Sequence, residues 1–397
     1  MILRGPRSPR FAVLAALALL LAPLAAAAQT VSIGNPQVVV GADQLMANPG
    51  FTGPWWPGSA GTFYNTSVTK VNGTYYIWAQ TGWQEAGCTS AADGLDNVVV
   101  FKSTSPTGGF HPRACSNPTC DGAIGQSEMR RSLASDSLAN NLCDDGFMWG
   151  LGDVIPYSGS QYLATFDLAK DGAAAGDSAK RYFYLAKSDG RDRTSPMHLF
   201  AQLAPSLGRI MVDPVPFKVD ANTVGVFFVH SWSNFTFAEM GYLTIDFTSF
   251  PGSFTVKALD GTGSYRTLNP ANGYLIDFQL GFLDFPRSIN RVLGSGTTAT
   301  AYYSTVADGD AGTCAGGDGF HSELGYRSFQ VHPDGRFLGW LQPPQPIGGG
   351  AWDYQTGINF PSPLLDTTGT RMYFTRDSQC AGNTFTHRDV VHANLSP

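Results

Sequence analysis

The chain alternates short apolar runs with turn residues, and one pattern of this kind recurs five times. Each unit begins with an apolar strand, turns at Gly, Asn, Ser or Asp residues, and continues as a second strand rich in Tyr, Phe and β-branched residues. These turn residues accept the positive φ that tight hairpin turns require, and the strands on either side alternate with a period of two residues. Each unit is therefore predicted to be a β-hairpin. The five predicted hairpins are 67–80, 153–166, 214–230, 287–304 and 362–377.

A third strand of the same type follows each hairpin, which makes each unit an antiparallel meander. The predicted third strands are 97–103, 181–188, 241–247, 323–331 and 387–395. Five units of roughly 70 residues predict an all-β fold, a five-bladed β-propeller. We expect the strand 38–40 to complete the last blade, because a closed ring leaves no free sheet edge. A β-sandwich is the alternative, and it explains the strand number but not the fivefold repetition.

The N-terminal segment has the order of a secretory signal peptide. Arg4, Arg7 and Arg10 precede an apolar run at 11–24, and small residues follow at 25–28. We therefore predict a signal peptide at 1–28 and a single exported domain, extracellular or periplasmic, at 29–397. The apolar run is about 14 residues, short of the roughly 20 that span a bilayer, although a retained anchor is the alternative.

Composition narrows the possible classes of protein. Only 14% of residues are charged, against about 25% in typical domains, and 46 Gly and 25 Pro argue against helical bundles and coiled coils. A mean hydropathy of -0.08 with 43% apolar residues is too apolar for a disordered chain. The formal net charge is -6, and it becomes about -9 without the leader arginines. We therefore expect no nucleic-acid partner, no membrane partner after cleavage, and a monomer.

Six cysteines follow the predicted leader, and an even number in an exported chain predicts disulfides. Three of them lie in or beside a Ser-, Asn- and Gly-rich insertion that disulfides would staple. One hypothesis pairs Cys314 with Cys380, and Cys88 with a cysteine of the insertion. The insertion cysteines are Cys115, Cys120 and Cys143.

Polar residues near the heads of the predicted inner strands are the candidates for chemistry, because inner strands line the central funnel of a propeller. Asp153, Asp213 and Asp284 have mainly Val, Ile, Phe and Pro as neighbours in the sequence, and charged residues are unusual within such apolar strands. Each could instead cap a turn. Their similar position in the repeat favours a shared site.

The phrases TKVNGTYYIW (69–78), FKSTSPTGGF (101–110), MWGLGDV (148–154), VDPVPF (212–217) and SFPGSF (249–254) resemble the five-bladed propeller glycosidases of families 43 and 62. These are arabinanases, arabinofuranosidases and β-xylosidases. The resemblance implies carboxylate acid/base cleavage of an arabinofuranose- or pentose-containing polysaccharide or oligosaccharide. It implies that Asp153 corresponds to the second-strand Asp, that Asp213 is the supporting Asp, and that Asp284 lies within about a residue of the acid.

Two residues depart from the family pattern. Asn65 stands at the position of the first-blade base and cannot take a proton, and the acid position holds Asp in place of Glu. An inverting glycosidase needs a second carboxyl roughly 6.5–9.5 Å from the first, so Asp153 or Asp213 would have to serve from across the funnel. If neither does, the funnel binds sugar without cleaving it. A non-catalytic carbohydrate-binding propeller is therefore the alternative function.

Further side chains are candidates for substrate binding. Trp55, Trp56 and Trp149 could stack on sugar rings, or could instead be blade-packing aromatics. Asn65 is also included because its amide can bond hydroxyls. His230 and Arg287 could do the same or tune the acids, although a single His or Arg is often structural. We expect no required cofactor, and calcium in the central channel is left open.

Overall fold

The computed structural model describes residues 31–41, 63–81, 97–112, 147–170, 181–191, 194–195, 197–232, 238–249, 253–284, 289–313, 318–348, 358–367, 369–381 and 384–396. Their strands form five separate sheets. Several predicted features lie outside the described residues, namely the signal peptide, Trp55, Trp56, Arg287 and five of the six cysteines. Trp149 and Cys380 lie in described strands, but their side chains are outside the description. Within the described residues, no helix is long and apolar enough to cross a membrane.

Each sheet is an antiparallel meander that begins with an inner strand. Blade one contains β2 (Phe63–Val71), β3 (Thr74–Thr81), β4 (Asn97–Ser103) and β5 (His111–Pro112). Blade two contains β6 (Phe147–Ser158), β7 (Gln161–Lys170), β8 (Arg181–Ser188) and β9 (His198–Leu203). Blade three contains β10 (Arg209–Lys218), β11 (Thr223–Trp232), β12 (Ala238–Ser249), β13 (Ser253–Leu259) and β14 (Tyr265–Thr267).

The fourth blade and the last blade follow the same plan. Blade four contains β16 (Ile289–Ser295), β17 (Thr298–Thr313), β18 (Asp318–Val331), β19 (Phe337–Trp340) and β20 (Gln345–Pro346). Blade five contains β21 (Ile358–Asp366), β22 (Gly369–Ala381), β23 (Thr384–Ser396) and the N-terminal β1 (Ser32–Val40). The short β15 (Leu275–Ile276) adds in parallel to the outer edge of blade two.

The five inner strands close into a ring. β2 contacts β6, β6 contacts β10, β10 contacts β16, β16 contacts β21, and β21 contacts β2. Five apolar clusters accompany this ring, one at each interface between neighbouring blades. Both faces of each sheet are therefore covered, which explains why the strands are apolar on both sides. The predicted five-bladed propeller is confirmed.

β1 closes the ring by pairing with β23, so both ends of the described chain lie in blade five. Val39 and Val40 are buried in the cluster between blades five and one. The prediction that residues 38–40 complete the last blade is confirmed.

Candidate functional site at the propeller axis

Every inner strand has a break in its pairing register at an equivalent place. The breaks lie between Phe63 and Thr66, Leu151 and Val154, Val212 and Val215, Ile289 and Arg291, and Asn359 and Ser362. A β-bulge of this kind bends the strand and re-aims its side chains. Asn65, Asp153 and Asp213 each lie within such a break, which brings these three predicted residues to the axis.

Asp213 is held by the amide of Asn65 from blade one. Asn65 Nδ2 donates to Asp213 Oδ1 at 2.7 Å and to the carbonyl oxygen of Leu151 at 2.9 Å. Because both partners are acceptors, the atom between them is the amide nitrogen. Asn65 is buried, whereas Asp213 is only partly buried. A single amide therefore joins blades one, two and three around one carboxyl.

The backbone of Asp213 is in a left-handed conformation, with φ of 56°. A residue other than Gly in this region carries strain of about 1–3 kcal/mol, and such strain is found preferentially at functional sites. Asp and Asn tolerate it better than branched residues do. The bulge therefore favours a short polar side chain at the position where the axis needs one.

Asp153 is fully buried and belongs to an ion-paired cluster contributed by four blades. Ser67 Oγ of blade one donates to Asp153 Oδ1 at 2.6 Å, and Arg291 Nη1 of blade four lies 3.1 Å from the same oxygen. Arg291 Nη1 also donates to Ser67 Oγ at 3.1 Å and to Ser362 Oγ of blade five at 3.2 Å. We call Ser67, Asp153, Arg291 and Ser362 the axial cluster.

Burial raises the pKa of Asp153, while the charge of Arg291 and the hydrogen bonds from Ser67 and the Val154 amide oppose the rise. Asp153 is 0% exposed and Arg291 2% exposed. Asp153 Oδ2 and Arg291 Nε are buried without a hydrogen-bond partner in the described structure. The side chain of Asp153 therefore holds the blades together and does not face open space in the funnel.

A close backbone approach places Asp153 beside the bulge of Asp213. Thr165 Oγ1 accepts from the Asp153 amide at 3.2 Å and donates to the Pro214 carbonyl at 2.5 Å. A Cβ at Gly152 would lie 1.9 Å from the same carbonyl oxygen. Only glycine fits between the two strands here.

His230 is buried within blade three rather than exposed at the funnel. Arg209 Nη1 lies 3.1 Å from His230 Nδ1 and 2.8 Å from Glu239 Oε2. Burial, followed by the charge of Arg209, lowers the pKa of His230 to about 4. Since arginine only donates, Nδ1 accepts and the ring proton sits on Nε2. A role of His230 in substrate binding stays a prediction.

Asp284 lies outside the group formed by Asn65, Asp153 and Asp213. Its neighbour Leu283 pairs with Met240 on β12, Met240 pairs with Val229 on β11, and Val229 pairs with Val212 on β10. Three strand spacings of about 4.8 Å separate the ends of this row, so Leu283 lies about 14 Å from Val212. The Asp284 carbonyl accepts from Arg327 of β18 at 3.0 Å, and the residue is exposed.

The expectation that Asp284 heads an inner strand is therefore corrected. Leu283, the residue before Asp284, pairs with Met240 at the edge of β12 in blade three, which places Asp284 away from the inner strand of that blade. Spacing along the sequence could not show this, because the path of a connecting segment is set by the sheet edge on which it pairs.

Sequence reasoning missed Ser67 and Arg291, and it placed Ser362 at the head of an inner strand without giving it a role. A signal for Arg291 was present, because it is a charge inside the apolar strand β16 (Ile289–Ser295). This is the criterion that selected the aspartates. Ser67 and Ser362 carry no comparable signal, since serine is common in strands and turns alike.

The described residues give no metal site. Within the described ranges, no three His, Cys, Asp or Glu side chains form a group that could hold a metal ion. Calcium in the central channel stays a prediction.

No protein-family model matches the chain, and no curated protein sequence matches it. Similar solved structures include a glycosyl hydrolase from Bacteroides ovatus, with 12% identity, coverage of 92% of this chain and 97% of that chain, and a TM-score of 0.46. The α-L-arabinofuranosidase from Lactobacillus brevis has 11% identity, 83% and 89% coverage, and a TM-score of 0.45. A family-43 endo-arabinanase from Bacillus licheniformis has 11% identity, 83% and 93% coverage, and a TM-score of 0.41.

All three are glycoside-cleaving hydrolases, and the endo-arabinanase belongs to family 43, one of the families whose motifs the sequence resembles. Similarity at these TM-scores does not assign an activity to this chain. The fold assignment rests on the strand order and the ring of inner strands described above.

Proposed function

We propose that the protein is a secreted glycoside hydrolase that cleaves arabinofuranose- or pentose-containing polysaccharide, with Asp213 as the carboxyl that contacts the substrate. The observation that carries the proposal is that Asp213, a partly exposed residue in a strained bulge at the axis, has its carboxyl held by the Asn65 amide at 2.7 Å. Of the three aspartates predicted from the sequence, Asp153 is buried in an ion pair and Asp284 lies away from the axis.

In this proposal Asp213 takes a proton from water as the water oxygen attacks the anomeric carbon. The glycosidic C–O bond breaks, its electron pair goes to the leaving oxygen, and a second carboxylic acid protonates that oxygen. Asp284 is the sequence-based candidate for this acid. Because the backbone of its neighbour Leu283 lies about 14 Å from that of Val212 on the inner strand, Asp284 is tested separately.

A non-catalytic carbohydrate-binding propeller is the second candidate. It is favoured by Asn65, which cannot exchange a proton, and by the ion pair between Arg291 and Asp153 at 3.1 Å, which occupies the second axial carboxyl. A funnel with a single partly exposed aspartate can orient hydroxyl groups without cleaving the glycosidic bond.

The test is incubation of the wild type and two variants with arabinan, arabinoxylan and arabinogalactan. Asp213→Asn should lower product release by about 100-fold or more, because a proton-transfer group typically contributes 10²–10⁴-fold. Asn keeps the side-chain size and tolerates the left-handed backbone, so unfolding in urea should change little. Asp334→Asn, in an exposed turn of blade four, is the matched control.

Each outcome separates the candidates. Equal product release from wild type and Asp213→Asn removes Asp213 from the reaction. Binding without any product release by the wild type favours the carbohydrate-binding propeller. Loss of release in Asp284→Asn, with binding retained, would restore Asp284 as the acid.

A further inference from the structure

A second concave site lies at the outer rim of blade three. The turn after β13 faces the segment 278–282, and between them is a cavity of about 420 Å³. Its walls include Phe278, Phe282, Thr262 and Gln279. Phe282 is 61% exposed and is the one aromatic residue among the large exposed hydrophobics of the described chain. We call this site the rim pocket.

The walls of the rim pocket are fixed by backbone hydrogen bonds. The Gly261 amide donates to the Gln279 carbonyl at 2.9 Å, and the Gly281 amide donates to the Leu259 carbonyl at 2.9 Å. A Cβ at Gly281 would lie 2.5 Å from the Asp260 carbonyl oxygen, so glycine permits this close approach. The pocket is therefore formed before any ligand arrives, which lowers the entropic cost of binding.

The charges in the rim pocket are already paired with each other. Arg266 Nε donates to Asp260 Oδ2 at 2.8 Å, and the Arg266 guanidinium stacks on the Phe278 ring at 4.8 Å from its centroid. Hydrogen bonds lower the pKa of Asp260 to about 2, and the largest contribution comes from the Thr262 hydroxyl. Because the pair is neutral overall, the pocket does not select an ion. It instead combines an exposed aromatic face with neutral polar groups, the combination that a sugar ring needs for its C–H face and its hydroxyls.

The rim pocket lies at the same height along the strands of blade three as Asp213. The row of paired residues Val212, Val229, Met240 and Leu283 connects the two places at one height of the blade. Asp213 follows the first residue of this row and Phe282 precedes the last. Their separation is about three strand spacings, roughly 14 Å, which a few linked sugar units can span.

We propose that the rim pocket binds a sugar unit of the polysaccharide whose neighbouring units reach the axis at Asp213. This inference rests on the proposed carbohydrate function and extends it, because it predicts that long chains bind more tightly than short ones. When one sugar unit of a chain is bound in the rim pocket, the effective concentration of the linked units at the axis rises, without any change in the contacts at the axis.

The test measures binding of arabinan, arabinoxylan and arabinogalactan by affinity electrophoresis, together with hydrolysis of an aryl arabinofuranoside. Phe282→Ala should weaken binding of the preferred polymer at least 5-fold and leave turnover of the small substrate unchanged. Gln279→Ala should weaken it in the same direction. Leu338→Ala, which removes another exposed hydrophobic side chain, is the matched control and should bind like the wild type.

The outcomes distinguish this inference from the proposed function. Weaker polymer binding by Phe282→Ala, in a protein that hydrolyses nothing, supports the rim pocket and overturns the hydrolase. Equal binding by Phe282→Ala and the wild type overturns the rim pocket even if hydrolysis is found. Failure of the wild type to bind any of the three polymers also overturns it.

Discussion

Asp153 and Asp213 occupy equivalent bulges, yet their surroundings give them different chemistry. Asp153 has Ser67 and Arg291 as partners in a fully buried cluster, whereas Asp213 is partly exposed beside Asn65. The sequence could predict that both lie near the axis, because both interrupt apolar strands at a similar place. It could not predict which of them is buried, because Arg291 comes from a strand 138 residues later.

Buried histidines make the stability of this protein depend on pH between neutral and mildly acidic conditions. His392 on β23 is 2% exposed, and its Nε2 lies 3.3 Å from Arg371 Nη1. Burial, followed by the charge of Arg371, lowers the pKa of His392 to about 4. The unfolded chain, with an ordinary pKa of about 6.5, binds this proton first as the pH falls.

His392→Gln should therefore flatten the pH dependence of stability. A depressed folded-state pKa contributes stability that is present above pH 6.5 and is lost as the pH falls towards 4, which for one histidine is about 2 kcal/mol between pH 7 and 5. The measurement is the free energy of unfolding in urea at both pH values. The drop should be about 2 kcal/mol smaller in the variant than in the wild type.

Two comparisons sharpen this measurement. The raised pKa of Asp153 acts with the opposite sign, because its contribution is lost as the pH rises, but it is common to both proteins and cancels in the difference. His230, whose pKa is also about 4, should give a similar flattening in His230→Gln. Parallel pH curves for the wild type and His392→Gln would contradict the assignment.

At the level of elements, the pattern of apolar strands and turns predicted the first three strands of every blade. The predicted third strands 97–103 and 181–188 coincide with β4 and β8. The outer strands of blades one to four were not predicted, neither the longer β9, β13 and β19 nor the short β5, β14, β15 and β20. Strands of two or three residues have no periodicity of their own, and their pairing is set by the neighbouring sheet edge.

The contact between the inner strands β6 and β10 depends on one glycine. Gly152→Ala would place a Cβ 1.9 Å from the Pro214 carbonyl oxygen and 2.5 Å from Thr165 Oγ1. Because the obstructing carbonyl is backbone, the strands must separate, and we expect a loss of about 2–3 kcal/mol in unfolding free energy. Gly34→Ala on β1 has no atom within 4 Å of the new Cβ and is the control.

Urea denaturation of the two glycine variants measures the effect, and polymer binding reports its consequence for the axis. Gly152→Ala should also weaken binding, since the same strands position Asp153 and Asp213. An unfolding free energy equal to that of the wild type would show that the strands are not held at this distance.

For the whole molecule, the sequence predicted that the ring closes in blade five, but it did not predict the polar contacts that hold blade five to blade one. The apolar strand 38–40 indicated that β1 completes blade five, because a closed ring leaves no free sheet edge. The polar link between blades five and one was not predicted. Asp366 accepts hydrogen bonds from Lys70 Nζ at 2.6 Å, from the Tyr75 hydroxyl, and from Arg371 Nε at 3.2 Å.

These contacts hold the pKa of Asp366 well below its ordinary value, with Lys70 and Tyr75 as the main causes. Lys70 and Tyr75 belong to blade one, whereas Asp366 and Arg371 belong to blade five. Lys70 and Asp366 are nearly 300 residues apart along the chain, so only the closed ring brings them together. No local pattern in the sequence carries this information.

Closure by β1 should be required for the stability of the whole ring. Val39 and Val40 are 5% and 1% exposed, whereas Val38 is 42% exposed. Truncation of a buried valine to alanine costs about 2 kcal/mol through lost burial and the cavity left behind, so Val39→Ala with Val40→Ala should cost about 4 kcal/mol. Val38→Ala, one residue away on the same strand, should cost little. Urea denaturation compares the two variants, and equal midpoints would mean that the propeller is stable without the N-terminal strand in blade five.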